Sequence, residues 1–213
     1  PNRNCPAGHV WGTVDGRGAT NIAALTFEGC SGGGGDNPDL ELSAKTAGSV
    51  GGVDFTPADI LAYDGATGQW SLQFNASDVS VAKNLAAFAR QDRSGQPDLY
   101  YLVFNANQNI PGLGTVTPFD VVRFTPTQLG ATTAGTFAWY FDGSDVGLTQ
   151  SGEKIDALSL NGNQLLISTA GAASVKRPGG GNLRAADEDV IAFTPTTTGE
   201  NTAGSWGTFF DGS

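Results

Sequence analysis

The sequence has no methionine, a single histidine (His9) and only two cysteines, Cys5 and Cys30. One histidine leaves little for Ser-His-Asp or Cys-His catalysis, which needs an imidazole beside its nucleophile. No Gly-x-Ser-x-Gly elbow is present either. One histidine and two distant cysteines also make a poor zinc set. Basic residues are scarce, with 11 Lys and Arg against 21 Asp and Glu and a formal net charge of −10. Phosphate binding requires clustered cations, so a nucleic-acid partner is not expected. No apolar run reaches the roughly 18 residues of a spanning helix, so the chain is not expected to cross a membrane. The runs Gly32-Gly33-Gly34-Gly35 and Gly179-Gly180-Gly181 lack a following Lys-Ser/Thr and helix, and read as flexible loops rather than phosphate cradles.

What is abundant is glycine, 31 of 213 residues, with Thr, Ser, Asn and Asp filling the gaps between short apolar runs. Gly, Asn and Asp supply the positive-φ positions of tight turns, so many short strands are expected. The length suits one larger all-β domain or two small ones. The chain starts at Pro1 rather than Met, which reads as a processed N-terminus of an exported protein. In that setting Cys5 and Cys30 are expected to form a disulfide that ties an N-terminal arm, residues 1–9, to the glycine loop. Two free thiols, or a bridge to a neighbouring chain, are the alternatives.

Four kinds of segment recur in fixed order. The first is Asn21-Ile22-Ala23-Ala24-Leu25, Asn84-Leu85-Ala86-Ala87-Phe88 and Lys154-Ile155-Asp156-Ala157-Leu158. The second begins at Leu40, Leu99 and Gln164. The third opens on an acidic residue, at Asp59, Asp120 and Asp189, with a Thr-Pro step nearby. The fourth is aromatic: Gln69-Trp70-Ser71-Leu72-Gln73-Phe74, residues 136–141 and residues 205–210, each followed by an Asx-type turn. All are short, rich in aromatic or β-branched residues and bounded by turn signals, so each reads as a strand. Residues 79–90 are Ala-rich enough to suggest helix but align with a strand in the other copies.

The expected fold is therefore all-β, with three four-stranded repeats of roughly 60 to 70 residues forming a propeller-like closed array in a single 1–213 domain. Six two-stranded units or a many-stranded barrel are alternatives. One strand is surplus: residues 9–16 resemble residues 205–212, so the aromatic strand occurs at both chain ends. Two strands compete for one place, and the loser exposes unpaired backbone that tends to find a partner. Head-to-tail β-strand addition between copies is the expectation, carried by Val10, Trp11 and Val14 at one end and Trp206, Phe209 and Phe210 at the other; the alternative is that each end simply forms an edge strand.

The segment Phe141-Asp142-Gly143-Ser144-Asp145-Val146-Gly147-Leu148, followed by Ile155-Asp156-Ala157-Leu158, resembles repeats of large bacterial secreted and surface proteins. The likeness is fair at Asp187-Glu188-Asp189. The first copy departs from it at Asn75 and Ala76, and the last breaks off at Ser213. The resemblance implies an extracellular repeat scaffold and supplies no activity.

Acidic residues raise a second possibility. Asp142, Asp145, Glu153 and Asp156 flank one turn, and Asp187 and Asp189 precede a strand. Carboxylates with turn carbonyls are the ligands Ca²⁺ takes, so these six residues are candidate calcium ligands. The alternative is that Asp142 caps its own turn while the rest are solvated. Paired carboxylates also suit a glycosidase, at a distance the sequence does not fix. Trp11, Tyr100 and Tyr101 would stack on carbohydrate if they were on the surface, although such aromatics are more often core. Asn75-Ala76-Ser77 forms a glycosylation sequon on a turn. The leading expectation is a non-enzymatic, exported structural protein forming a homopolymeric filament or matrix. A Ca²⁺- or carbohydrate-binding propeller module is the alternative.

Overall fold

A computed structural model describes residues 22–27 as backbone, 40–177 and 179–212. The chain is all-β, with short strands, three single-turn 3-10 segments and no α-helix among the described residues. The first repeat holds β1 (Ile22–Phe27), β2 (Leu40–Ala44), β3 (Gly48–Val50), β4 (Val53–Phe55), β5 (Ile60–Asp64) and β6 (Gln69–Phe74). The second holds β7 (Leu85–Gln91), β8 (Leu99–Phe104), β9 (Gln108–Ile110), β10 (Gly114–Val116), β11 (Val121–Gln128) and β12 (Ala134–Phe141). The third holds β13 (Ile155–Asn161), β14 (Gln164–Thr169), β15 (Ala173–Lys176), β16 (Asn182–Ala185), β17 (Val190–Thr197) and β18 (Ala203–Phe210).

In each repeat the first, second, fifth and sixth strands form a four-stranded antiparallel sheet in chain order, matching the four recurrent segments. The third and fourth strands form a separate hairpin. The sheets are separate rather than one continuous barrel. The hairpins are additions that the recurrent segments did not reveal, because strands of three or four residues are too short to show an alternation. The Ala-rich stretch divides into a 3-10 turn at Ala76–Val79 and strand β7.

The three sheets stack face to face. All six residues of β8 are buried, and the strand alternation sends them to two cores. Tyr100, Leu102 and Phe104 join Ile60, Phe74 and Phe124 on one side. Leu99, Tyr101 and Val103 join Phe141, Ile167 and Phe193 on the other. This explains the continuous apolar run Leu99-Tyr100-Tyr101-Leu102-Val103-Phe104: a strand covered on both faces has no polar side. The tyrosines are core, as such strand aromatics more often are, and the sugar-stacking alternative does not hold for them, since Tyr100 is 0% and Tyr101 4% exposed. At the inner edge of the stack, β1 and β13 both lie against β7.

Proline placement follows the pairing. Strand β11 pairs with β8 only over Val122–Phe124, so Pro126 falls where no ladder bond to β8 is lost. Pro195 repeats this in β17, beyond its pairing with β14 over residues 191–193. Proline is tolerated in a strand on such an edge.

One glycine in each of the last two sheets is dictated by close approach. A Cβ on Gly135 would fall on Thr125 O and the edge of the Phe124 ring, and one on Gly204 on Thr194 O and the Phe193 ring. Across from Gly207, by contrast, the space is open. Gly135→Ala and Gly204→Ala should each lower stability by about 1–3 kcal/mol through overpacking, with Gly207→Ala within about 0.5 kcal/mol of the parent. Urea denaturation of the three variants measures this, and equal effects would remove the ring-clearance account.

Candidate functional site

The recurrent acidic residue before each third segment is a structural clip. Thr56 N and Oγ1 donate to Asp59 Oδ2 at 2.7 and 2.8 Å, while Ala76 N donates to Asp59 Oδ1 at 2.8 Å. Asp120 repeats this with Thr117 N and Oγ1, both at 2.7 Å, and Gly143 N at 3.1 Å. Asp189 accepts from Ala186 N at 2.7 Å and Gly212 N at 2.9 Å. Each carboxylate thus ties the entry of one strand to the turn that leaves the next. An acid recurs here because only a two-oxygen acceptor reaches both sets of N–H groups. The first copy carries Ala76 where the others carry Gly143 and Gly212. Ala58 stands opposite it, in place of Phe119 and Glu188.

The turn after each aromatic strand forms the junction with the next repeat. At the first junction Gly130 N donates to Gln73 O at 2.9 Å, and Asn75 N donates to Thr133 Oγ1 at 2.8 Å. Thr133 N returns a bond to Asp78 Oδ2 at 2.8 Å, and its hydroxyl donates to Gly130 O at 3.0 Å. The second junction repeats all four. Gly199 N donates to Tyr140 O at 2.9 Å, Asp142 N to Thr202 Oγ1 at 2.8 Å, Thr202 N to Asp145 Oδ2 at 2.8 Å and Thr202 Oγ1 to Gly199 O at 2.7 Å. Thr133 and Thr202 are buried, as a hydroxyl that both donates and accepts permits.

Rings fill the space beneath this latch. Phe74, from the first repeat, packs edge-on against Phe124 with centroids 5.2 Å apart, and Phe124 lies 4.8 Å from Phe137. Phe141 packs in the same way against Phe193 at 5.1 Å, with Trp206 4.9 Å from Phe193. Trp206 also donates its indole N–H to Val146 O at 3.0 Å. The expectation that Trp206 belongs to an exposed assembly tail is therefore corrected: it is 4% exposed and closes the second junction.

The latch has a signature in the sequence. Gly130-Ala131-Thr132-Thr133-Ala134-Gly135 and Gly199-Glu200-Asn201-Thr202-Ala203-Gly204 share a Gly-x-x-Thr-Ala-Gly pattern. The first repeat has a shorter hairpin instead, in which Asp64 caps its own turn by accepting from Ala66 N, Thr67 N and Thr67 Oγ1. The Thr67 hydroxyl and those amides hold the Asp64 carboxyl below its ordinary value.

The six candidate calcium ligands do not converge. Asp142 Oδ1 accepts from Ser144 N and Oγ, as the capping alternative requires. Asp145 serves the latch and Asp189 the clip. Glu153, buried, accepts from Thr149 N, Gln150 N and Ser174 N, fixing the approach to β13 against β15. Asp156, on the exposed face of β13, accepts from Ser168 Oγ at 2.7 Å, and Asp187 is exposed. Among the described residues no three His, Cys, Asp or Glu side chains form a metal-holding group. The sequon Asn75 uses its Nδ2, the atom a glycan would modify, to donate to Ala131 O. Gly179, Gly180 and Gly181, all at positive φ, form the β15–β16 turn. The arm at residues 1–9, His9, Cys5, Cys30, Val10, Trp11, Val14 and the Gly32-Gly33-Gly34-Gly35 loop lie outside the described residues.

One buried charge network is special to the first junction. Glu41 on β2 receives Arg90 Nη1 at 2.9 Å and the Tyr100 hydroxyl at 2.8 Å, and Gln73 Nε2 donates to that hydroxyl at 2.9 Å. Glu41 Oε2 has no hydrogen-bond partner among the described residues. Burial pushes the Glu41 carboxyl above its ordinary value against the pull of Arg90. It raises Asp120 too, against its hydrogen bonds from Thr117 and Gly143.

Two predictions follow from these groups. Asp120→Ala leaves buried donors unpaired and should cost about 2–4 kcal/mol in a urea melt. Asp120→Asn, which keeps one acceptor oxygen, should cost less, and equal losses would count against the clip. The second concerns pH. A carboxyl whose folded value lies above its unfolded value contributes stability that is complete below the unfolded value and is lost as pH rises through the folded one. Melting temperature should therefore fall as pH rises from the ordinary carboxyl range toward neutral, and Glu41→Gln should flatten that slope. A slope unchanged in Glu41→Gln would remove Glu41 from the explanation.

The chain matches no protein-family model, no curated protein and no solved structure.

Proposed function

We propose that this protein is a non-enzymatic, extracellular structural subunit whose three sheets form a propeller-like array, and which joins further copies head to tail into a filament or matrix. The observation that carries this reading is the end of β18. Phe74 and Phe141, which close the aromatic strands of the first two repeats, are 0% and 1% exposed. Their counterpart Phe210 is 54% exposed and its neighbour Phe209 52%, the large hydrophobic side chains left open among the described residues. Adjacent exposed aromatics mark a contact surface more often than they serve solubility.

The backbone supports the same reading. Strand β18 pairs with β17 from Ala203 to Phe210, so the sixth place of the third repeat is filled from the chain's own C-terminal segment. The N-terminal aromatic copy, with Val10, Trp11 and Val14, lies outside the described residues, and we assign it the role of the added strand. The outer edge of β18 pairs with no other described strand, and an open edge accepts an added strand through main-chain hydrogen bonds. The N-terminal copy of a neighbouring molecule is the donor. The resemblance of residues 141–148 and 155–158 to repeats of bacterial surface proteins supports the extracellular setting, as does a pair of cysteines available for a disulfide.

Purified protein imaged by negative-stain electron microscopy over a concentration series should show linear arrays of a unit near 21.8 kDa. Dispersed single particles at every concentration would sink this reading.

A further inference from the structure

The two internal junctions share one ring arrangement. A phenylalanine closing one repeat (Phe74 or Phe141) enters beside a pair of rings in the next, Phe124 with Phe137 or Phe193 with Trp206. The pair is fixed by register, since Phe124 faces Phe137 and Phe193 faces Trp206 across the ladder. The first repeat has the same pair. Tyr63 faces Trp70 across β5 and β6, with centroids 5.0 Å apart at 44°, close to the 4.8 Å and 45° of Phe124 with Phe137. Even the glycine two residues before the second ring recurs, as Gly68, Gly135 and Gly204. Gly51 of the β3–β4 turn lies close to the Trp70 side chain, where an added Cβ would fall 3.1 Å from Trp70 Cδ1.

Among the described residues, the first repeat shows no entering phenylalanine. No third ring contacts Tyr63 or Trp70 among the described residues, and Tyr63 is only half-buried where its counterparts Phe124 and Phe193 are 0% and 1% exposed, while Trp70 is half-buried as Phe137 is. Among the described residues, the array thus carries a ring pair without an entering phenylalanine at one end and, on Phe210, an exposed ring of the matching kind at the other.

We infer that Phe210 of one molecule seats against Tyr63 and Trp70 of a second copy, so that the joint between molecules repeats the ring packing of the internal junctions. This rests on the head-to-tail reading and specifies its contact. Strand addition along β18 supplies main-chain bonds that almost any sequence makes. The ring seat supplies what strand addition lacks, a fixed register and a preference for the same chain. The joint differs from an internal junction in one respect. The first repeat has no counterpart of Thr133 or Thr202, because its hairpin is shortened to the Asp64 turn. The four latch bonds are therefore missing between copies, and assembly is reversible and dependent on concentration.

Two single variants separate the ends. Phe210→Ser removes the ring and Tyr63→Ser opens the seat; both lie on exposed or half-buried positions, and circular dichroism with a thermal melt confirms that each is folded. Each variant alone should need about tenfold more protein, or beyond, to assemble, as loss of a central aromatic contact does at other interfaces. Mixed one to one, they retain a single good joint per pair, Phe210 of the Tyr63→Ser copy in the seat of the Phe210→Ser copy. Light scattering should then give dimers of about twice 21.8 kDa and no longer species. As a second measurement, Phe210→Cys and Tyr63→Cys in one chain, with Cys5 and Cys30 replaced by Ser, should yield a ladder of multimers with a short bis-maleimide.

Wild-type assembly that persists unchanged in both variants would overturn the ring joint and leave the filament reading standing. A wild type that never assembles overturns both. Variants that are monomeric alone and remain so when mixed, or cross-links confined to single chains, overturn the ring joint specifically.

Discussion

Everything in this structure depends on how a small four-stranded sheet buries its faces. Strands of five to eight residues give a sheet too small to be stable alone, and its apolar side chains point both ways. Stacking sheets solves this, and the contact between consecutive repeats becomes the central constraint. The clip, the latch and the ring trio are three parts of that contact. The clip fixes the turn, the latch hydrogen-bonds it to the next hairpin and the phenylalanine fills the space below.

The division of labour among the polar groups explains the acidic character of the repeats better than a shared ligand does. Asp59, Asp120 and Asp189 each collect amides from two segments that would otherwise be left without partners. Asp78 and Asp145 each hold one threonine amide across a junction. A carboxylate suits this work because its two oxygens accept several bonds at once. Glu41 is the exception. It belongs to no repeat pattern, and its salt bridge to Arg90 locks the first two sheets with buried charge instead of the latch chemistry alone.

A stack held by one recurring contact has ends, and the ends carry the functional reading. The interior repeats hide their aromatic strand termini completely, so an exposed Phe210 is conspicuous. The proposed assembly extends the same geometry between copies, because the free energy of burying a ring does not distinguish the same chain from another. In the proposed joint between copies, the absence of the latch in the first repeat is what makes us expect reversible growth rather than a permanent joint.

Much of this was legible in the residues. The four recurrent strands, their order, the structural role of the Asx turn and the strand identity of residues 85–91 follow from short-range alternation and turn chemistry, which act within a few residues. The recurrence of an acid at Asp59, Asp120 and Asp189 was visible too, but not that it reaches a turn lying beyond the following strand. The paired hairpins escaped because their strands are too short for a pattern, and the burial of Trp206 because sequence period does not reveal that both faces of a sheet are covered. By itself, then, the sequence determined an all-β chain of three repeats and where their turns fall. Only the tertiary structure decided which carboxylates serve as clips, which rings meet across a junction and that Phe210 is left outside. Those outcomes depend on contacts between residues as far apart in sequence as Phe141 and Trp206, which no local pattern encodes.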